Sequence, residues 1–380
     1  MSPIYLDYAA TTPAAPEVAE VVAACLTLEG CFANPASRSH LLGWEAEQRV
    51  ELARRQVAQL IQADPREIIW TSGATEANNL ALIGAALACD QPGHLITSEI
   101  EHKAVLDPCH WLTSQGWQVT YLKPDAQGQI QASALQAALR PETRLVSLML
   151  INNELGSINP IHELAAVVKD HPALLHVDAA QAVGKWPIDL TELDVDLLSM
   201  SAHKFYGPKG VGALFVRGAC RSRVKPLIHG GGHEMGLRSG TLATHQLAGM
   251  GQAAELAQQQ MDQDRLHLQS CREAFLSNLD PQVAQPHIAP ESAWPGILNL
   301  AFPGLEAESL ILALPELAVS TGSACNSASL KPSYVLTALG VPATLALSSI
   351  RFSFGRYLSV EQAAEAGQKL NAVVKRLLAS

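Results

Sequence analysis

The chain has 380 residues, of which 48% are hydrophobic and 16% charged, and a formal charge of -10. This length exceeds what a single core usually spans, so two lobes are expected, and the apolar content excludes a disordered or linker-rich scaffold. The acidic balance, uninterrupted by any Lys/Arg cluster, argues against nucleic acid and membrane as partners; without a secretion signal or a run of ~18 to 20 apolar residues, a cytoplasmic location is expected.

In chain order, β-rich runs at 67–70, 94–97, 119–122, 145–151, 174–177 and 197–200 alternate with stretches of helical period. That alternation predicts an α/β domain with a mostly parallel sheet between helices. Several of these strands end in polar residues, as in Trp70-Thr71-Ser72-Gly73, Ile151-Asn152-Asn153 and Val177-Asp178. In open sheets the carboxyl edge builds the ligand crevice, so these groups should converge there. A long helix is expected over 244–276, then strand-like 297–302, a helix at 306–314, short strands at 317–319 and 350–354, and a closing helix over 360–378. This second alternation suits a smaller α+β domain, giving a division into 15–257 and 1–14 with 258–380.

Seven cysteines, an odd number, are spread widely and include no C-x-x-C pair, so reduced thiols are expected. Cys25, Cys31, Cys89, Cys109, Cys220 and Cys271 lie in apolar or helical surroundings and read as small core residues. Cys325 differs. It sits in Thr321-Gly-Ser-Ala-Cys325-Asn-Ser-Ala-Ser329, a segment of small residues with no bulky anchor, and is expected on an accessible loop where a thiolate can act as a nucleophile.

Ser201-Ala-His-Lys204 places a lysine just past an apolar strand and before a glycine-rich return into strand-like 211–216. Desolvation at a sheet edge lowers an amine's pKa and makes it nucleophilic toward an aldehyde, although most loop lysines are simply solvated. Asp178 is suited to pair with a pyridinium nitrogen, or else to cap a helix. Thr71-Ser-Gly-Ala-Thr75-Glu76 opens a helix with hydroxyls and free N–H groups, which suits a phosphate or an ordinary capping box.

Together, Tyr5-Leu-Asp-Tyr-Ala-Ala-Thr-Thr-Pro13, Thr71 to Glu76, His176-Val-Asp-Ala-Ala-Gln181, Ser201 to Lys204 and Ser323-Ala-Cys325 resemble the NifS/IscS-type cysteine desulfurases. These belong to the class V aminotransferase-like group of fold-type I enzymes dependent on pyridoxal 5'-phosphate, and the likeness covers nearly the whole chain in order. It implies that Lys204 holds the cofactor as a Schiff base, Asp178 binds the ring nitrogen and Gln181 the ring hydroxyl. It further implies that Ala74, Thr75, Ser201 and His203 hold the phosphate, and that His102 stacks on the ring and shuttles protons. Asn153 is implied near the ring hydroxyl and substrate, Arg351 on the substrate carboxylate, and Cys325 as the nucleophile that takes sulfur from L-cysteine as a persulfide and leaves alanine.

The segment Gly230-Gly-Gly-His233 to Thr241 tempts a metal reading through His229 and His233, but its glycines deny those histidines a helix; a mobile loop and no metal are expected. The resemblance implies that this loop reaches a neighbouring subunit and that Thr241 contacts the partner's phosphate, hence a homodimer with shared sites. The sulfur would pass to an acceptor protein such as an iron-sulfur scaffold. Selenocysteine lyase or transaminase of the same group is the competing enzyme reading, and a docking hub the non-enzymatic one. Two departures stand out: Asn326 follows the cysteine where threonine is usual, and the sequence ends at Ser380 where housekeeping members carry a scaffold-engaging tail, so delivery to another acceptor or a NifS-like specialised role stays open beside the usual scaffold docking.

Overall fold

In the computed structural model, which describes residues 3–321 and 331–379, the chain opens with β1 (Ile4–Tyr5), α1 (Pro16–Ala23) and α2 (Leu41–Leu60). An alternating stretch follows: β2 (Ile68–Thr71), α3 (Ala74–Leu87), β3 (His94–Ser98), α4 (Lys103–Ser114), β4 (Gln118–Leu122), α5 (Ala132–Ala138), β5 (Thr143–Met149), α6 (Ile161–Val168) and β6 (Leu174–Asp178). Then come β7 (Leu197–Ser201), β8 (Gly212–Val216) and the long α7 (Thr244–Ser277). The remainder is β9 (Gln285–Pro286), β10 (Ile297–Ala301), α8 (Ala307–Leu312), β11 (Leu317–Ala318), α9 (Tyr334–Ala338), α10 (Ala343–Leu347), β12 (Ser349–Ser353) and α11 (Val360–Leu378).

The central sheet has seven strands in the order β2-β8-β7-β6-β5-β3-β4, all parallel except β8, which runs antiparallel to both its neighbours. Side chains alternate across it: Ile68, Trp70, Leu198, Met200 and Phe215 join the core on one face, and Ile69, Leu197, Leu214 and Val216 join the core on the other. Helices α3 and α4 cover the second face through Leu80, Ala81, Val105 and Leu112; α2 and α7 cover the first through Val50, Val57, Met250 and Ala254. With both faces covered, the strands read as continuous apolar runs, so sequence alternation inside them is weak.

The expected strand over 145–151 stops in the ladder at Met149. Leu150 and Ile151 remain buried, but Leu150 N donates to Asp178 O and Ile151 bridges to Ile158, so the apolar run outlasts the strand. The main core continues into a three-stranded antiparallel sheet, β12-β10-β9, through Leu298, Leu300, Ile350 and Phe352. Period-two alternation then turns Asn299 and Arg351, which are register partners, to the opposite face. The N-terminal segment is threaded between the two sheets: β1 pairs with β11, Ser353 N donates to Leu6 O, and Thr12 N donates to His203 O.

Candidate active site

Because β2, β5, β6 and β7 run the same way, their carboxyl ends share one edge of the sheet, and the N-terminal segment and β12 close over it. The result is a cavity of about 560 Å³. Its lining includes Ala74, Thr75, His102, Asn153, Asp178, Gln181, Ser201, His203, Lys204 and Arg351. Ten residues singled out from separate segments are therefore brought to one place.

Lys204 ends a short 3₁₀ turn (Ala202–Lys204) directly after β7. Its Nζ donates to Ala9 O at 2.6 Å and to Ala10 O at 2.9 Å, so the amine is held against backbone carbonyls of the N-terminal segment. Asp178, 5% exposed, ends β6; its Oδ2 accepts from Asn78 Nδ2 at 2.8 Å and its Oδ1 from Ala180 N at 3.0 Å. Asn78 lies fully buried in α3 and was not singled out from the sequence. Its signal is a lone amide on the apolar face of a helix, where a buried polar group needs a partner.

Helix α3 opens on Gly73, and no side chain caps it, so the capping-box alternative for Ser72 or Thr75 is not realised. Gly73 has φ +150°, and a Cβ on Gly212 would stand 2.7 Å from Gly73 Cα. Only two glycines allow the backbone of β8 and the helix start to meet this closely. The first amides of α3 thus face the cavity without a competing side-chain acceptor, an arrangement that suits a phosphate. Glu76 also lines the cavity, but its carboxylate is already partnered: raised by burial but lowered more by Arg238 and Ser72, it sits below its ordinary range and accepts from Arg238 Nε at 2.9 Å and from Ser72 N at 2.7 Å.

His102 is the N-cap of α4, with Nδ1 accepting from Ala104 N at 3.1 Å. That bond places the proton of the neutral ring on Nε2. Burial lowers its pKa, outweighing Asp178, so the ring is neutral near pH 7. His203 behaves alike: burial, then Lys204, Lys209 and Lys185, push it down to about 4, and its Nδ1 lies 3.1 Å from Thr11 Oγ1. Either histidine can offer hydrogen bonds here, and neither brings a charge.

Arg351 is 4% exposed. Its Nη2 donates to Asp7 Oδ1 at 2.7 Å and its Nη1 to Asn153 O at 2.8 Å, while Nε is buried without a partner. Asn153 Oδ1 is likewise buried without a partner. Two unsatisfied polar atoms at the wall of one cavity mark a place for a polar ligand. Asp7, which holds the guanidinium, was missed from sequence because nothing local links it to a residue 344 positions away.

Thr241 does not line this cavity. It lies on a second one with Asn34, Arg38 and Glu234. The glycine-rich segment around it, expected to be a mobile loop, is pinned at its middle: Glu234 accepts from Arg54 Nη1 and Nη2 at 2.8 and 2.9 Å and from Trp70 N at 2.8 Å. A buried carboxylate needs such partners, and the bonds tie the segment to α2 and β2. Cys325 lies outside the described residues. Of the other cysteines, Cys25, Cys109, Cys220 and Cys271 are buried, and burial pushes Cys220 up to about 12 and Cys271 up to about 11, far from thiolate. Cys31 and Cys89 are only partly covered, so the core reading holds for four of the six.

The aminotransferase class-V family profile matches residues 4–365. Cysteine desulfurase IscS of Pseudomonas aeruginosa (strain LESB58) is 53% identical over 378 residues, covering 99% of this chain and 93% of its own. Cysteine desulfurase IscS of Acinetobacter baumannii (strain AYE) is 54% identical over 364 residues, covering 94% and 89%. Among solved structures, a NifS-like protein superposes with a TM-score of 0.91 at 34% identity over 100% of both chains. A second, SspA in complex with cysteine, gives a TM-score of 0.82 at 39% identity over 93% of this chain and 99% of its own.

Proposed function

This chain belongs to the aminotransferase class-V family and is a cysteine desulfurase, and we propose that it works with pyridoxal 5'-phosphate in the cavity at the carboxyl edge of the sheet. The observation that carries this reading is the meeting, in one cavity, of an amine (Lys204), a buried carboxylate (Asp178) and a helix start with no side-chain cap (α3). That donor set fits the cofactor's aldehyde, ring nitrogen and phosphate in turn. Ser201, His203 and Thr75 would add hydrogen bonds to the phosphate, Gln181 one to the ring oxygen, and the His102 ring would lie against the cofactor's face.

Pyridoxal phosphate, when bound, supplies an aldehyde that condenses with amines and a ring that accepts electrons from the amino acid's Cα. Lys204 Nζ would hold the cofactor's aldehyde and, as a free amine, would be the base placed to take the Cα proton. Asp178 would face the ring nitrogen and favour its protonated form, and Asn78 keeps Asp178 in place. Arg351 grips the carboxylate of L-cysteine through Nε, its unpartnered donor, beside Asn153. The Cys325 thiolate Sγ bonds to the substrate sulfur as the substrate's C–S bond breaks. The electron pair of that bond stays with carbon, which takes a proton and leaves as the methyl group of alanine. His102, with its proton on Nε2, is the cavity's further group for proton exchange.

Incubation with L-cysteine should add the mass of one sulfur atom to Cys325 while alanine is released. Cys325→Ala should keep the visible absorbance of the bound cofactor and lose both the adduct and turnover. Undiminished turnover in that variant, or an adduct on Cys109 or Cys220 instead, would overturn the assignment.

The working form is proposed to be a homodimer that hands sulfur to an acceptor protein such as an iron-sulfur scaffold. Leu26, Leu28, Phe32, Leu41, Leu42 and Trp44 are all at least 45% exposed in the single chain, an apolar surface that association would cover. Thr241 sits beside this segment, across the cavity it shares with Asn34 and Arg38, and would serve the partner subunit's phosphate site. Light scattering on the wild type should return twice the chain mass, and Leu28→Asp with Leu41→Asp should return one chain with weakened cofactor retention. A wild type that stays monomeric rejects the shared site. Among the described residues, no helix is long and apolar enough to cross a membrane.

A further inference from the structure

Gln181 and Lys185 stand one helical turn apart in the segment after β6, where Val183 N donates to Ala179 O at 2.9 Å and Trp186 N to Ala182 O at 2.8 Å. That spacing puts both side chains on one side of the turn. Lys185 Nζ donates to Gln181 Oε1 at 2.9 Å, and Gln181 Nε2 donates to Ala9 O at 2.8 Å. Ala9 O also accepts from Lys204 Nζ, so the four groups form one chain from Lys185 to Lys204. Gln181 is 4% exposed and lines the cavity; Lys185 reaches it from outside the lining.

A carboxamide is nearly symmetric in shape and opposite in chemistry at its two ends. Flipped by half a turn, Gln181 would set its NH₂ against the Lys185 amine and its oxygen against Ala9 O. Both contacts would then be repulsive, donor on donor and acceptor on acceptor. We propose that Lys185 is a positioning residue that locks the Gln181 carboxamide so that its second Nε2–H faces the cavity as a donor to the cofactor's ring oxygen. The inference rests on the cofactor reading given above and goes beyond it by assigning a second lysine that touches neither cofactor nor substrate. Burial first, then the charges of Lys204 and Arg351, push the Lys185 amine down to about 7. The protonated amine has donors only and enforces the lock in full; the neutral amine keeps two N–H donors for Gln181 Oε1 but gains a lone pair, so above that value Ala9 O carries more of the orientation.

The test uses the full chain as wild type, Lys185→Met, Lys185→Arg, Gln181→Ala and the Lys185→Met/Gln181→Ala double variant. Three quantities are read: affinity for added pyridoxal phosphate by fluorescence titration, the ratio of the bound cofactor's visible absorbance bands at fixed pH, and the melting temperature without cofactor. Gln181→Ala and Lys185→Met should each weaken cofactor affinity roughly fivefold, about 1 kcal/mol and the worth of one hydrogen bond, and shift the band ratio the same way. The double variant should be no worse than Gln181→Ala, because Lys185 acts through that residue, and Lys185→Arg should restore wild-type values. The melting temperature of Lys185→Met should not fall, since an apolar side chain of similar length replaces an amine whose charged form burial disfavours, which offsets the hydrogen bond lost at Gln181 Oε1.

Additive effects in the double variant would mean that Lys185 acts by its charge through space, and would overturn the proposal. A lower melting temperature with unchanged affinity and bands would make Lys185 merely structural, with the same result. If Gln181→Ala itself leaves affinity and bands unchanged, the cofactor reading at Gln181 fails and takes the proposal with it.

Discussion

Replacing Arg351 with methionine keeps much of the side chain's length while removing every donor it presents to the cavity. In the folded protein Nη2 is held by Asp7 at 2.7 Å and Nη1 by Asn153 O at 2.8 Å, leaving Nε as the buried donor without a partner. A substrate carboxylate that takes Nε and the second hydrogen of Nη2 makes two charge-assisted bonds, each worth about 1.5–3 kcal/mol. Their loss amounts to about 3–6 kcal/mol, or a fall in kcat/KM of roughly 10²- to 10⁴-fold. The carboxylate persists through the reaction, so most of the loss should appear as a higher KM for L-cysteine. Initial rates of alanine release against cysteine concentration measure this, with cofactor absorbance and melting temperature read on the same sample because Asp7 loses its partner too. Cysteamine, which has the amine and thiol but no carboxylate, provides the control: its binding, read as displacement of the cofactor's visible band, should be the same in both proteins. A kcat/KM for cysteine within about threefold of wild type, or an equal weakening toward cysteamine, refutes the role of Arg351 as the carboxylate's partner.

Glu101 is fully buried; burial pushes its carboxyl up to about 8, against the hydrogen bonds from Ser98 and Met149 N. An unfolded chain releases that proton near pH 4, so from there to about pH 8 the folded chain alone retains it. Its contribution is fully present at low pH and is lost as pH rises through the folded value. Glu101→Gln should therefore flatten the decline in melting temperature between about pH 5 and 8, and parallel profiles for the two proteins would reject a protonated Glu101. Glu234→Gln breaks a buried bidentate pair with Arg54 and should destabilise the chain by about 3–5 kcal/mol, whereas apolar replacement of both partners should cost less. Thermal melts of the single and double variants decide this, and limited proteolysis should show faster cleavage within 229–241 in the single variant.

Much of the element order could be read directly from spacing. The closing helix starts at Val360 and ends at Leu378 as expected, because Ser359 and Gln362 form a capping box and the apolar period runs unbroken between. Strands were legible as short apolar runs, with ends that shifted by a residue or two wherever burial and ladder pairing part company, as at Leu150 and Ile151. The antiparallel course of β8 was less visible, since a central strand covered on both faces carries the same apolar run in either direction. In the cavity, residues that end strands or open helices stood out, as Asp178, Lys204 and Thr75 do. Those that act from within a helix, from a turn outside the cavity or from the far N-terminus, namely Asn78, Lys185, Asp7 and Ala9, did not.

What the sequence determined by itself is therefore local: the alternation that builds a covered parallel sheet, the lysine placed just past β7, and motifs whose order resembles one family. Only the tertiary structure decided which of those residues share a cavity and what holds them there. Lys204 meets Ala9 O across 195 positions and Arg351 meets Asp7 across 344, and both contacts depend on strand order and on the register of β10 against β12. Helical hydrogen bonding and side-chain periodicity act over about four residues, so they are written into spacing. Contacts between distant segments are set by how whole elements pack, and spacing carries no record of them.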